Sequence, residues 1–195
     1  MRYPPEHKAE VRREIVERAA REFRSRGAEG IGISALMKRL GLTHGGFYRH
    51  FRSRGSLFTE AVEHGFSEVA ARLKEIAKAA PSGRKLQAIV CAYLSPEHVG
   101  NPGEGCPLAA LSTDITRLPA RERRRIERPL TDYIDEMAQF VKGSTHQERR
   151  RYAMLLFSSM AGVVSAGGAI TDQQAQEELL QYAREFYTSH FDGSD

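Results

Sequence analysis

Apolar residues recur along most of the chain with a helical period. Val11, Ile15, Ala19 and Phe23 are spaced by four, which predicts a helix over residues 7–26 that Gly27 closes. Ile33, Leu36, Met37 and Leu40 follow the i, i+3, i+4, i+7 template of a short second helix, and Gly41 stands where a left-handed stop is expected. Thr43 then caps a third helix. Leu42, just outside that cap, and Phe47, four positions inside it, form a hydrophobic staple that sets the angle at which the chain enters.

The rest continues in the same way. Ser53 caps a long fourth helix with Phe58, Val62, Phe66, Val69, Leu73 and Ile76 on its inner stripe, ending at Pro81–Gly83. A fifth helix carries Leu86, Ile89, Val90, Tyr93 and Leu94, and the Pro-, Gly- and Asn-rich residues 95–105 read as a loop. Pro107 suits the first turn of a sixth helix. A seventh spans about 119–141 with Pro129 inside it, an eighth about 146–168 and a ninth about 172–190. No strand of period two and no internal repeat interrupts the pattern. The class is all-α, with about nine helices.

Composition changes this picture in one respect. The net charge of +4 is mild, but residues 1–55 carry 13 Lys/Arg against 6 Asp/Glu while the remainder is slightly acidic. A basic first quarter suits a polyanion-binding head, residues 1–55, on a helical body, residues 56–195. A salt-bridged, solvated helix face would show the same excess. Two cysteines make no disulfide framework, the N-terminus lacks the apolar core of a signal peptide, and no apolar run reaches the ~18 residues of a membrane span. These features point to the cytoplasm.

A short helix, a Gly-containing turn and a second short helix make a helix-turn-helix, whose second helix lies in the DNA major groove. The stretch GLTHGGFYRHF (41–51) fits that use. Gly45 and Gly46 fall in the first turn of the reading helix, where an absent side chain lets the backbone approach a phosphate. The alternative is that these glycines merely permit tight helix packing. Phe47 and Phe51, four apart, point to the core and leave Tyr48, Arg49 and His50 free to meet phosphates. If Ser53 is a cap, Arg54 lies at the positive end of the fourth helix, a conflict that an external phosphate would relieve.

The stretch GISALMKRLGLTHGGFYRHFRSRGSLF closely resembles the DNA-binding head of the TetR family of bacterial transcriptional regulators, over about residues 8–66. The resemblance implies that Thr43, His44 and Gly45 approach the groove, that Tyr48, His50 and Arg54 bind phosphates, and that Ser34 reaches the DNA backbone. Lysine is usual where Arg54 stands and an acidic residue where Gly55 stands. The implied function is a homodimeric, sequence-specific repressor released from double-stranded operator DNA by a small-molecule inducer. An activator of the same fold, or a helical ligand-binding or catalytic protein with an incidental helix-turn-helix, are the alternatives.

The implied body is a ligand-binding and dimerisation domain. The small residues of AGVVSAGG (161–168) and the stripe Ala175, Leu179, Tyr182, Ala183, Phe186 suit a two-fold four-helix interface. EGCPLAAL (104–111) resembles a motif of one branch of the family, some members of which respond to electrophiles or oxidants through such a cysteine. Cys106, as the cap of the sixth helix, is therefore a candidate sensor with a lowered pKa, or else a small buried core residue. Cys91 is expected in the core. The seven histidines show no metal-ligand spacing, and no nucleophile, phosphate-loop or dinucleotide motif occurs, so no cofactor, metal or enzymatic activity is expected. The arginine cluster 121–128 reads as a solvated helix face.

Overall fold

The computed structural model describes residues 5–193. Its helices are α1 (Pro5–Arg26), α2 (Ile33–Arg39), α3 (His44–Phe47), α4 (Arg54–Ala79), α5 (Lys85–Tyr93), α6 (Pro96–Gly100), α7 (Pro107–Thr116), α8 (Ala120–Met137), α9 (His146–Ala169) and α10 (Gln173–Phe191). The expected helices are all present. The difference lies in residues 95–105, read as loop. There Ser95 caps the five-residue α6, its Oγ accepting from the His98 N–H at 3.2 Å, and a 3₁₀ turn at Pro102–Glu104 follows.

The caps explain where the helices begin. Thr43 Oγ1 accepts from Gly46 N–H at 3.3 Å, Ser53 Oγ from Ser56 N–H at 3.1 Å, and Thr145 Oγ1 from Glu148 N–H at 3.1 Å. Each satisfies a donor that the first turn leaves without a partner, an effect of about 1 kcal/mol. Gly41 ends α2 with φ +69°, its N–H bonded to Lys38 O and the Leu42 N–H to Met37 O at 2.9 Å. That paired arrangement requires a left-handed residue, which favours glycine.

Packing builds outward from α4. Its stripe of Leu57, Phe58, Ala61, Val62, Phe66, Val69 and Leu73 is buried. α1 crosses it on one side, with Phe23 and Phe58 edge to face at 5.2 Å, and α8 packs along it on another, with Phe66 and Tyr133 at 5.9 Å. Arg12 of α1 grips Glu60 of α4 through both nitrogens, at 2.5 and 2.8 Å, while its guanidinium lies 4.5 Å over the Phe51 ring. α2 is tied to α1 through the buried Glu22, which accepts from Arg18, Arg26 and Arg39. Burial pushes the Glu22 carboxyl up, but the bond and charge of Arg39 with the charges of Arg18 and Arg26 outweigh it and leave the pKa below the usual range. The group is ionised, and its contribution to stability is present at neutral pH and lost as pH falls through that lowered value.

α9 packs against α7, α8 and α10 and buries Ala153, Leu156, Phe157, Met160 and Val164. Among the described residues it alone is long and apolar enough to cross a membrane by length and composition. This corrects the expectation of no such run: Ser, Gly and Ala are scattered among its large apolar residues and mask its length. One face of it is buried against three neighbours and the other is exposed.

Candidate nucleic-acid interface

The strict helix α3 is a single turn, but the chain stays helical beyond it, with His50 N–H bonded to Phe47 O at 2.9 Å and Phe51 N–H to the same oxygen at 3.0 Å. Phe47 and Phe51 are buried, their rings stacked at 5.5 Å. With those two facing inward, Thr43, His44, Gly45, Tyr48 and Arg49 are exposed on the opposite face, and Tyr48 is 63% exposed.

The two glycines can now be judged. Neither has a positive φ. A Cβ on Gly45 would meet nothing within 4 Å, and one on Gly46 would meet only Thr43 Oγ1 at 3.4 Å and Met37 Cε at 3.8 Å. Helix packing therefore explains neither glycine, and at Gly45 the backbone opens directly onto solvent. Glycine lowers helix stability by ~1 kcal/mol against alanine, and nothing within the described chain offsets that at Gly45.

Around this face the chain gathers polar groups from three helices. Ser34 Oγ of α2 and His44 Nδ1 share a hydrogen bond of 2.8 Å, and the His44 and Tyr48 rings meet edge to face at 5.7 Å. Ser34 thus orients His44. His50 is half-buried, and its Nδ1 has no hydrogen-bond partner among the described residues. Burial first, then the charges of Lys8, Arg12 and Arg49, push its pKa below the usual range, which favours the neutral imidazole. His50, Arg49, Thr43 and Gly46 border an open cleft that Lys8 of α1 flanks on the other side. Lys8 was not singled out from the sequence. Its place beside His50 depends on how α1 lies across the motif, and only the surplus of basic residues hinted at it.

Arg54 has partners within the chain. Its guanidinium pairs with Glu29 at 2.6 Å and donates to the carbonyls of Ala28 and of Ile31, the latter at 3.0 Å. The conflict between this cation and the start of α4 is resolved within the chain, by acceptors from the turn between α1 and α2. Arg54 clamps that turn from the start of α4.

Cys91 departs from the expectation, while Cys106 takes the buried reading, one of the two offered for it. Leu86, Ile89, Val90 and Tyr93 take the buried face of α5, so Cys91 points outward and is exposed. Cys106 caps α7 as expected but is only 1% exposed. Burial pushes its thiol pKa up, outweighing the lowering from the Tyr93 hydroxyl and from the N–H groups of Leu108 and Ala109. Its own N–H donates to His98 Nε2 at 3.0 Å, and His98 Nδ1–H donates to Tyr93 O at 2.6 Å, which fixes a neutral imidazole. A low-pKa thiol, one of the two readings for this helix start, is absent because desolvation outweighs the helix terminus.

Residues 15–61 match the family model for bacterial regulatory proteins of the tetR family. No curated protein matches the chain. Among solved structures, the chain shares its fold with E. coli NemR in its reduced form, at 18% identity over 94% of this chain and 98% of that one, with a TM-score of 0.73. A TetR transcriptional regulator from Chloroflexus aurantiacus is similar at 21% identity over 96% and 98%, TM-score 0.72. Bacillus subtilis FadR in complex with stearoyl-CoA is similar at 16% identity over 91% and 97%, TM-score 0.66.

The burial of the two thiols has a direct consequence. A maleimide added to the native protein labels Cys91 well before Cys106, and Cys106 reacts at the Cys91 rate only after denaturation. Peptide mass spectrometry reads the order, and rapid native labelling of Cys106 would contradict its burial.

Proposed function

We propose that this member of the tetR family of bacterial regulatory proteins, a DNA-binding transcriptional regulator, is a homodimeric cytoplasmic repressor that a small molecule releases from its operator. The observation that carries the DNA-reading surface is the bare backbone at Gly45, a glycine with no internal reason, set among exposed polar side chains. In this reading, residues 1–55 are the head and residues 56–195 the body. Thr43, His44 and Gly45 enter the major groove with the start of α3. Tyr48 and the His50 imidazole take phosphates, Ser34 holds His44 at the groove, and Arg54 fixes the turn behind the motif.

One head reads one half-site, so a palindromic operator calls for two. The surface of α9 and α10 supports a two-fold partner. Met154 and Leu155 on α9 are exposed, followed by Ser158, Gly162 and Ser165 along the same face, while Tyr182 and Phe186 on α10 are 72% and 53% exposed. Large apolar groups beside a small-residue stripe allow close isologous packing of four helices. An effector bound in the body would shift the separation of the heads and so their fit to two half-sites. That FadR, a protein of this fold, holds stearoyl-CoA supports such a site. Cys106, buried beside Tyr93, would respond to an oxidant or electrophile only after the body opens.

Gly45→Ala separates reading from folding. The variant keeps or gains stability in thermal unfolding, by up to about 1 kcal/mol, yet loses at least about tenfold in operator affinity by fluorescence anisotropy, or roughly 1.4 kcal/mol. Unchanged affinity would remove Gly45 from the DNA surface.

Phe186→Glu tests assembly. It places a charge on the apolar face of α10, and light scattering should find monomers at concentrations where the parent is a dimer. Those monomers bind a palindromic duplex poorly, because linked heads gain from effective concentration. A stable dimer in this variant would move the interface elsewhere.

A further inference from the structure

Arg24 belongs to α1, the first helix of the head, yet it is buried inside the body. Its Nε donates to Gly103 O at 2.8 Å in the turn before α7, and its Nη2 to Glu68 Oε2 at 2.9 Å on α4. Room for it is made by omission. A Cβ on Gly65 would lie 2.3 Å from Arg24 Nη1, and a Cβ on Gly103 would lie 2.4 Å from Ser25 Oγ of α1. Two further arginines close on the same turn: Arg21 of α1 pairs with the Glu104 carboxylate at 3.1 Å, and Arg72 of α4 donates to the Glu104 carbonyl at 2.7 Å. The far side of the turn is held by the body, where the Cys106 N–H bonds to His98.

Apart from Arg12 on Glu60 at the end nearer α3, the other contacts between α1 and α4 are apolar, such as Phe23 on Phe58, so at the end nearer the body Arg24 supplies the directional contact. Apolar burial is non-directional and tolerates a small rotation of one helix on another. Hydrogen bonds weaken steeply off axis and fix an angle. A buried guanidinium is also a poor device for stability, since its desolvation cancels much of what its partners return. Arg24 even leaves Nη1 without a partner among the described residues. Its use at this position is geometric.

We propose that Arg24 is a positioning residue that locks the angle of the head on the body by holding the Pro102–Glu104 turn, so that a shift of this turn is passed directly to α1. For its effect on DNA the proposal rests on the two-half-site reading above. The turn lies between Arg24 and the His98–Cys106 pair, so displacement of either residue pulls on Gly103 O. Lysine at position 24 reaches one of the two acceptors; methionine keeps the volume and reaches neither.

The test uses the full chain with spin labels on the exposed Cys91 of the body and on Lys38→Cys of the head, diluted with unlabelled chain. Electron–electron resonance gives the distance distribution between them without DNA. The parent should give a narrow distribution, and Arg24→Met one at least about twice as wide, with helix content and dimer mass unchanged; Arg24→Lys should fall between. A distribution in Arg24→Met and Arg24→Lys as narrow as the parent's overturns the proposal. Should Arg24→Met fail to fold, the lysine variant alone decides by the same criterion. A second arm uses palindromic duplexes whose spacer is changed by one base pair. The parent discriminates between them, and Arg24→Met should bind them within about threefold of each other while its affinity for a single half-site stays the same. Retained spacer discrimination in the variant also counts against the lock. A parent that binds no duplex contradicts the operator reading alone, because the distance measurement still decides the role of Arg24.

Discussion

The packing of α1 across α4 is the constraint on which the rest of the molecule depends. α4 is one continuous helix of 26 residues whose first turn, capped by Ser53, lies in the DNA-binding motif and whose later turns form the centre of the body. Head and body therefore share a backbone as well as a core, and no flexible linker separates them. Phe23 against Phe58 supplies the apolar contact, Arg12 on Glu60 pins the end nearer α3, and Arg24 on Gly103 and Glu68 pins the other. The reading helix is too short to hold itself. Its orientation is borrowed from Phe47 and Phe51, which pack into the core beneath α1 and α4.

This arrangement joins the two halves of the proposed mechanism physically. An event in the body near His98, Tyr93 or Cys106 would bear on a turn that α1 holds through Arg21 and Arg24. α1 in turn carries Lys8 beside His50 and Arg12 over Phe51, at the edge of the reading face. Rotation of α1 by a small angle would move both heads of a dimer relative to each other. The apolar faces of α9 and α10 that would join the dimer lie on other helices than α1, although α9 also meets α7, where Ser165 donates to Ala109 O at 2.8 Å.

What the sequence made legible was local. Apolar stripes at helical spacing, the caps at Thr43 and Ser53 and the stop at Gly41 are written within a few residues of where they act, and the structure places them accordingly. α6 is too short to show a period, although the Ser95–Pro96 pair that starts it is an ordinary helix opening. Cys91 was readable as well: the inward positions of α5 exclude it, and only its small apolar character suggested the core. The partners of Arg54 and of Arg24 lie more than 20 residues away, three of them backbone oxygens of turns, and no spacing announces them. The raised pKa of Cys106 depends on burial in the folded core, which a helix-start argument does not contain. The site was legible where it rests on the motif and hidden where it rests on packing.

The central claim is that two copies of this chain read a symmetric duplex through the exposed start of α3. Selection of bound sequences from a random duplex pool, at fixed salt and with the intact protein, tests it most directly. The account predicts enrichment of an inverted repeat whose half-sites share one spacing, with affinity that falls as salt rises because phosphates are neutralised on binding. Recovery of no common sequence, or of an asymmetric one bound by a single chain, would contradict it.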